Sequence, residues 1–370
     1  MKNRWKSLRA LLLVLAVVAV ACGGDAATDT TTGDTEPADT TGATETTGAS
    51  ADTTAPEEEP TTTIAEEPVE LVAVHGSSPD FIALVPAAGW DSCAERGINV
   101  TQEYVEDGSI AIQAIAQGEG QIATNIGVNV GLLAVDEGAS IVDVMATQRP
   151  TWALVSRNEI SSIEELAGLT MGVHGETSFT KAIADFYDEQ YELGMEQVII
   201  PGSEVRAEAL ANDQIDASVI DLPDVVSLGA TYPDSFTVLD TVGENLPDLI
   251  EQDIWMNRTW VEENPELAQE VTTCLLEGLR NLVDDPDYAL EVATELLPDQ
   301  DPAILEELIA EYIERDIWDP NGALTEETAQ YTVEFFADLG EIDVDPATVD
   351  LEKYFNFDLL ENAVEELGRR

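Results

Sequence analysis

The sequence predicts an α/β protein of two lobes facing one cleft, and three observations carry that prediction. Short apolar runs alternate with helical patterns through most of the chain, as layered α/β folds require. Two of those runs end in the same tripeptide, Val74-His75-Gly76 and Val173-His174-Gly175, and each then passes into a helix opening. His75 and His174 are the only histidines in 370 residues, and both sit where a strand hands over to a helix, the usual ligand edge of an open sheet.

With 44% hydrophobic residues the chain can bury sizeable cores, and its length divides into about two compact units. The formal net charge is −60, and Lys2, Arg4, Lys6 and Arg9 all precede the first apolar run, so the chain beyond it is more acidic still. That charge excludes nucleic acid and anionic membrane surfaces as partners, because like charge repels their phosphates. The bases left are arginines plus only Lys181 and Lys353, a balance suited to salty surroundings, although plain compositional drift produces the same bias.

Residues 1–21 read as a signal peptide: a basic start, then the apolar run Ala10 to Ala21, too short to span a bilayer comfortably. The run closes with Ala19-Val20-Ala21-Cys22-Gly23-Gly24, which resembles the bacterial lipobox. That resemblance implies an acylated Cys22 as the mature N-terminus, a protein held at the outer face of the bacterial cytoplasmic membrane, and contact with the membrane through the lipid anchor alone. From Gly23 to Pro68 there is no Lys or Arg and almost no apolar residue, so 22–68 is expected to be an anchored, disordered acidic Thr-rich tether.

The folded region starts near Val69. A strand over Glu70 to Val74 leads to a helix from Pro79 to Trp90, whose apolar positions hold Phe81, Ile82, Leu84 and Val85. A strand follows from Ile98 to Tyr104. Ser109 opens a helix through Ile112 and Ile115, ended by Gly118-Glu119-Gly120. After the strand Gln121 to Thr124, Asn125-Ile126-Gly127 reads as another strand-to-helix turn before a helix through Val130, Leu132 and Val135. Strands Ile141 to Thr147 and Thr151 to Ser156 flank Gln148-Arg149-Pro150. Ser162 and Glu165 have capping-box spacing for one helical turn. Next come the strand within Leu169 to Val173, helix Ser178 to Glu192, strand Gln197 to Ile200, helix Val205 to Ala211, and strands Ala217 to Asp221 and Phe236 to Leu239. The remainder is mostly amphipathic helix, with openings at Asn264-Pro265-Glu266, Pro286, Pro302 and, for the last long one, Leu324-Thr325-Glu326-Glu327.

Four phrases in this order carry a resemblance: Asp107-Gly108-Ser109 with Ile115 to Ala123; Ile160 to Val173; Ala209-Leu210 through Asp213 to Ala217; and Glu263-Asn264-Pro265-Glu266. Over roughly Val69 to Gly368 the chain resembles the substrate-binding proteins of ABC importers, in the branch of nitrate, sulfonate, taurine and thiamine-pyrimidine-precursor binders. The resemblance implies a type II periplasmic-binding-protein-like fold with two crossover strands and a helical C-terminal region. Lobe 1 would take 69–155, lobe 2 would take 156–251, and 252–370 would return to lobe 1 and add the C-terminal helices. It implies a monomer without cofactor that closes on a small-molecule solute and delivers it to an ABC permease with its ATPase. Many relatives place an aromatic after the first strand, where this chain has His75-Gly76-Ser77-Ser78.

The expected pocket is built from turns at strand ends. Its candidate ligand-binding residues are His75, Ser77, Ser78 and Phe81; Asn125, Gly127 and Asn129; Arg149; His174, Glu176, Thr177, Ser178 and Phe179; and Asp221 and Trp255. Helix openings there offer backbone N–H groups and hydroxyls, and Phe81, Phe179, Trp152 and Trp255 are stacking surfaces unless they belong to the core. Both histidines compete with a capping role. Arg149 is either a fork for a carboxylate or sulfonate or an exposed turn residue paired with an acid. With few bases in these turns and Glu176 and Asp221 available, a nitrogen heterocycle such as a pyrimidine thiamine precursor, or an amine, is favoured over a sulfonate or nitrate.

Zinc uptake through His75, His174, Glu176 and Asp221 is a rival, weakened by the lack of a His-rich loop, so no metal is expected. No catalytic residue is assigned: there is no Gly-x-Ser-x-Gly, His-Glu-x-x-His, P-loop or Cys-x-x-Cys. A thiamine-pyrimidine synthase resembles these binders but carries a cysteine-rich motif that this chain lacks, so the chain is not expected to be an enzyme. A tethered sensory module would use the same closure. Cys93 and Cys274 either pair as a disulfide or stand as two buried small hydrophobes.

Overall fold

The computed structural model describes residues 68–370 apart from 233 and 234, so the expected signal peptide, lipidated Cys22 and acidic tether lie outside the described residues. The chain first lays down β1 (Val69–His75), α1 (Leu84–Glu95), β2 (Ile98–Tyr104), α2 (Gly108–Ala116), β3 (Ile122–Gly127), α3 (Val128–Asp136) and β4 (Ile141–Gln148). A second set follows: β5 (Ala153–Arg157), β6 (Thr170–Val173), α4 (Phe179–Tyr191), β7 (Glu196–Ile199), α5 (Ser203–Ala211), β8 (Ala217–Ile220), α6 (Leu222–Thr231) and β9 (Phe236–Thr241). The rest comprises α7 (Val242–Asn245), β10 (Gln252–Asn257), α8 (Arg258–Glu263), α9 (Pro265–Asp284), α10 (Pro286–Leu296), α11 (Pro302–Glu314), α12 (Glu326–Asp338) and α13 (Phe357–Leu367).

These strands form two five-stranded sheets, ordered β2-β1-β3-β10-β4 and β7-β6-β8-β5-β9. Each is mixed. β1 runs parallel to β2 and β3 while β10 is antiparallel to β3 and β4, and β6 runs parallel to β7 and β8 while β5 is antiparallel to β8 and β9. The two sheets are therefore joined twice, through 149–152 and through 242–251. β4 is buried along its whole length, as expected of a strand covered on both faces. Its covering includes α13, and Phe355, just before that helix, forms a bridge to Asp143.

Several local expectations change. Asn125-Ile126-Gly127 is strand, not turn, because β3 continues to Gly127 with Asn125 at φ 55°, a left-handed conformation that a short amide side chain tolerates. The Ser162/Glu165 capping box does not form: Glu165 instead accepts from Ser161 N at 2.8 Å and Ser161 Oγ at 3.2 Å. α6 and α13 are additional helices. α6 is announced only by its Asp221 cap and an early proline, and α13 by its Asn356 cap. The C-terminal helices also reach the second sheet's helices, with Phe336 of α12 edge-on to Phe179 at 6.3 Å.

Candidate functional site

On the first sheet's side the site is organised around Asp80. β1 ends at His75-Gly76, and Gly76 is required there: a Cβ would lie 2.6 Å from the Asn125 carbonyl oxygen and 2.8 Å from Gly108 Cα. Asp80 caps the short turn 81–83, accepting from Ala83 N at 3.1 Å. It also accepts from Ser77 Oγ at 2.5 Å and Asn125 Nδ2 at 2.9 Å, and His75 Nε2 lies 3.4 Å from its Oδ1. His75 is fully buried, with Nδ1 2.8 Å from Thr124 Oγ1. This Thr124-His75-Asp80 chain has the outline of a relay, but Thr124 is fully buried and also accepts from Gln102 Nε2 at 3.1 Å. The imidazole orients a carboxylate; it does not activate an accessible hydroxyl.

On the second sheet's side, Ser178 caps α4, its hydroxyl donating to Gly175 O at 2.9 Å and accepting from Gly175 N at 3.1 Å. Thr180 Oγ1 accepts from His174 N at 2.9 Å. His174 Nδ1 accepts from Gly202 N at 3.2 Å, and its Nε2 lies 3.8 Å from Asp107 Oδ2 of the first sheet's side. Burial and then the positive charge of Arg206 push its pKa down, against the pull of Asp107 and Glu204. Arg206 is itself buried and committed. Its Nε donates to Ser218 Oγ at 3.2 Å, Nη1 to Ile200 O at 3.1 Å and Nη2 to Val219 O at 3.2 Å, and burial lowers its pKa to about 10.

The two sides meet. Asn129 Nδ2 donates to Thr177 O at 3.0 Å and to Glu341 Oε2 at 2.9 Å, and a Cβ on Gly127 would lie 3.2 Å from Phe179 Cβ. The end of β3 and the start of α3 are thereby brought against the opening of α4.

Where the crossovers pass each other, Thr151 of the first joins Glu251 of the second to Asp221. Thr151 Oγ1 donates to Asp221 Oδ1 at 2.6 Å, with Glu251 Oε1 3.2 Å away, and Thr151 N donates to Glu251 Oε2 at 2.6 Å. Gln148 Nε2 donates to Glu251 Oε1 at 3.1 Å. Burial raises the Asp221 carboxyl to about 7, with Asp224 and, from the other side, Asp80 adding to the rise against the Thr151 hydrogen bond. Burial likewise raises Asp224 to about 6 and Glu251 to about 8, Asp80 contributing to the first and Asp221 to the second. Two buried donors, the Tyr312 hydroxyl and Trp152 Nε1, have no hydrogen-bond partner. Tyr312 feels Asp221, Glu251 and Asp80, and the Trp152 ring lies 6.0 Å from the Arg206 guanidinium and 6.5 Å from Phe179.

Not every candidate reaches this place. Arg149 points to Asp319, Nη2 to Oδ2 at 2.9 Å, and helps line a cavity of about 140 Å³ with Pro247, Leu249 and Thr328; the loop after α11 captures it, since Arg149 N also donates to Ile317 O. Trp255 is fully buried on Gly131, where a Cβ would lie 2.1 Å from its ring. Phe81 is core, stacked on Trp318 at 5.9 Å and edge-on to Tyr312 at 4.8 Å. Ser78, Glu176 and Thr177 are exposed. Among the described residues no group of three or more His, Cys, Asp or Glu side chains is arranged to hold a metal; His75 and His174 are each engaged with different partners.

Thr151, Glu251, Arg206 and Tyr312 were not expected as site residues, and Asp80, though within the expected pocket turn His75 to Phe81, was not singled out. Asp80 was legible as a cap before an apolar run. Tyr312 had no signal, because it arrives from α11, far along the chain.

A search of curated proteins finds no match. Solved structures share the fold. A ligand-binding component of an ABC-type import system from Staphylococcus aureus, solved with zinc bound, superposes with TM-score 0.65 at 11% identity over 80% of this chain and 99% of its own. The aliphatic sulphonate binding protein SsuA from Escherichia coli gives 0.61 at 16% over 78% and 92%. The nitrate-binding protein NrtA from Synechocystis gives 0.61 at 10% over 82% and 90%. The family model described as NMT1/THI5 like matches residues 78–289, more than half of the sequence, and the chain belongs to that family.

Proposed function

We propose that this chain is an extracytoplasmic solute-binding protein that captures a small molecule between its two halves and hands it to an ABC importer permease, held to the membrane by acylated Cys22. Its solute carries a basic nitrogen, as an amine or a nitrogen heterocycle. The observation that supports this reading is clustered acidity: burial raises Asp221 and Asp224, and the charge of Asp80 on the other side adds to both rises, offset at Asp224 by Arg206, while the Arg206 guanidinium is held by backbone carbonyls, Arg149 by Asp319 and Lys181 by Asp185. A cation relieves that repulsion, and an anion aggravates it. Tyr312 and Trp152 offer donors to ring acceptors. No covalent bond is made or broken, and a micromolar affinity, about −8 kcal/mol, suffices when closure adds contacts from both sides.

An anionic solute is the second reading, favoured by the sulphonate- and nitrate-binding neighbours. It requires Arg149 to leave Asp319. Uptake assays in a strain lacking this gene, with labelled amines, aminopyrimidines, sulfonates and nitrate, separate the readings: loss of amine or aminopyrimidine uptake is expected. Loss confined to sulfonate or nitrate would favour the anion, and uptake unchanged throughout would overturn the transport role in favour of sensing.

A further inference from the structure

We infer that Cys93 and Cys274 are joined as a disulfide in the protein's own compartment, locking α1 to α9. The two helices touch through glycine. A Cβ on Gly278 would lie 2.3 Å from Gly89 N and 2.4 Å from the Ala88 carbonyl carbon, and one on Gly89 would lie 3.0 Å from Leu275 Cα. A disulfide needs Cα atoms about 4.4–6.8 Å apart, within reach of two helices packed this closely, and the Cys93 and Cys274 side chains are in hydrogen-bond contact. Cys93 lies one turn after Gly89, and Cys274 one turn before Gly278, so in this antiparallel register the cysteines fall opposite each other.

Both are fully buried free thiols in this structure. Hydrogen bonding to Cys274 and then burial push the Cys93 thiol far above the ordinary range, and both sulfurs are fully buried, so an outside disulfide does not reach the pair once the helices have docked. Oxidation therefore belongs to folding. The disulfide of an extracytoplasmic thiol oxidoreductase is attacked by one cysteine to give a mixed disulfide, which the second cysteine resolves. The Cys93–Cys274 S–S bond forms, and the oxidoreductase keeps the two electrons and two protons as a dithiol. The bond would close a loop holding the whole second sheet and β10.

The inference rests on the extracytoplasmic reading, and the test separates the two. Full-length chain exported by its own leader, and full-length chain made in a reducing cytoplasm then refolded with oxidised glutathione, are alkylated without reductant and mapped as peptides. The expected result is a linked Cys93–Cys274 peptide in both, split by reductant, with a melting temperature about 5–15 °C lower after reduction in wild type and unchanged in the Cys93→Ser, Cys274→Ser double variant. Alkylated free cysteines in both samples overturn the inference. A link in the refolded sample alone also overturns it, and places the failure in the compartment and not in the helix crossing.

Discussion

Asn129 of α3 donates its side-chain amide to the Thr177 carbonyl at 3.0 Å, joining the two halves at the opening of α4. Asn129→Ala removes this bond and the one to Glu341. The expected outcome is a loss of solute affinity of about 3–10-fold, the worth of one or two ordinary hydrogen bonds, read by titration calorimetry. Unchanged affinity would mean that the contact is not part of the closed, liganded state.

Asp80→Asn and Asp221→Asn each remove a carboxylate charge while keeping shape. Affinity for a cationic solute should fall about 10–100-fold in either variant, as for a charge-assisted hydrogen bond, while Arg149→Ala should change it less than about twofold. The reverse pattern, with Arg149→Ala abolishing binding, would support the anionic solute.

Asp143 of β4 and Asp253 of β10 are fully buried beside each other in the first sheet. Burial raises Asp143 to about 7, and burial with the Asp143 charge holds Asp253 well above the usual range. In the unfolded chain both titrate near pH 4, so between about pH 4 and pH 7 the folded state binds more protons, and stability falls as pH rises. Melting temperature should drop from pH 5 to pH 8 in high salt. Asp143→Asn, whose amide can donate to Asp253, should melt higher than wild type at pH 8 and flatten the profile. A wild type stabilised by rising pH would contradict this account of the two buried carboxyls.

Gly131→Ala tests the placement of Trp255. A methyl group there meets the indole ring, so the variant should lose about 1–3 kcal/mol in urea unfolding. Trp255→Phe should likewise lower stability and leave solute affinity unchanged. A selective loss of affinity in Trp255→Phe would return this residue to the pocket.

Much of the fold was legible because apolar periodicity and end signals act locally: β2 and the proline-opened α9, α10 and α11 stand where their residues place them. The misses are tertiary in origin. Asn125 looked like a turn residue, yet the pairing of Thr124 with β1 and of Ile126 with β10 carries the strand through it. Arg149 looked free until the loop carrying Asp319 folded back on it, and Trp255 looked like a stacking surface until Gly131 made room beneath it. In the two Val-His-Gly turns the histidines serve as braces, one for Asp80 and one between Gly202 and Asp107. The acids they surround carry the stronger case for ligand recognition.

The central claim, a basic-nitrogen solute held between the two halves, is tested most directly by a thermal-shift screen of the full-length protein and its Asp221→Asn variant against amines, aminopyrimidines, sulfonates and nitrate. A closing ligand at a hundredfold excess over its Kd stabilises by about 2.7 kcal/mol, a shift of several degrees. The account predicts that an amine or aminopyrimidine raises the wild-type melting temperature and that the variant loses the shift. A shift produced only by sulfonates or nitrate, and retained in Asp221→Asn, would contradict it.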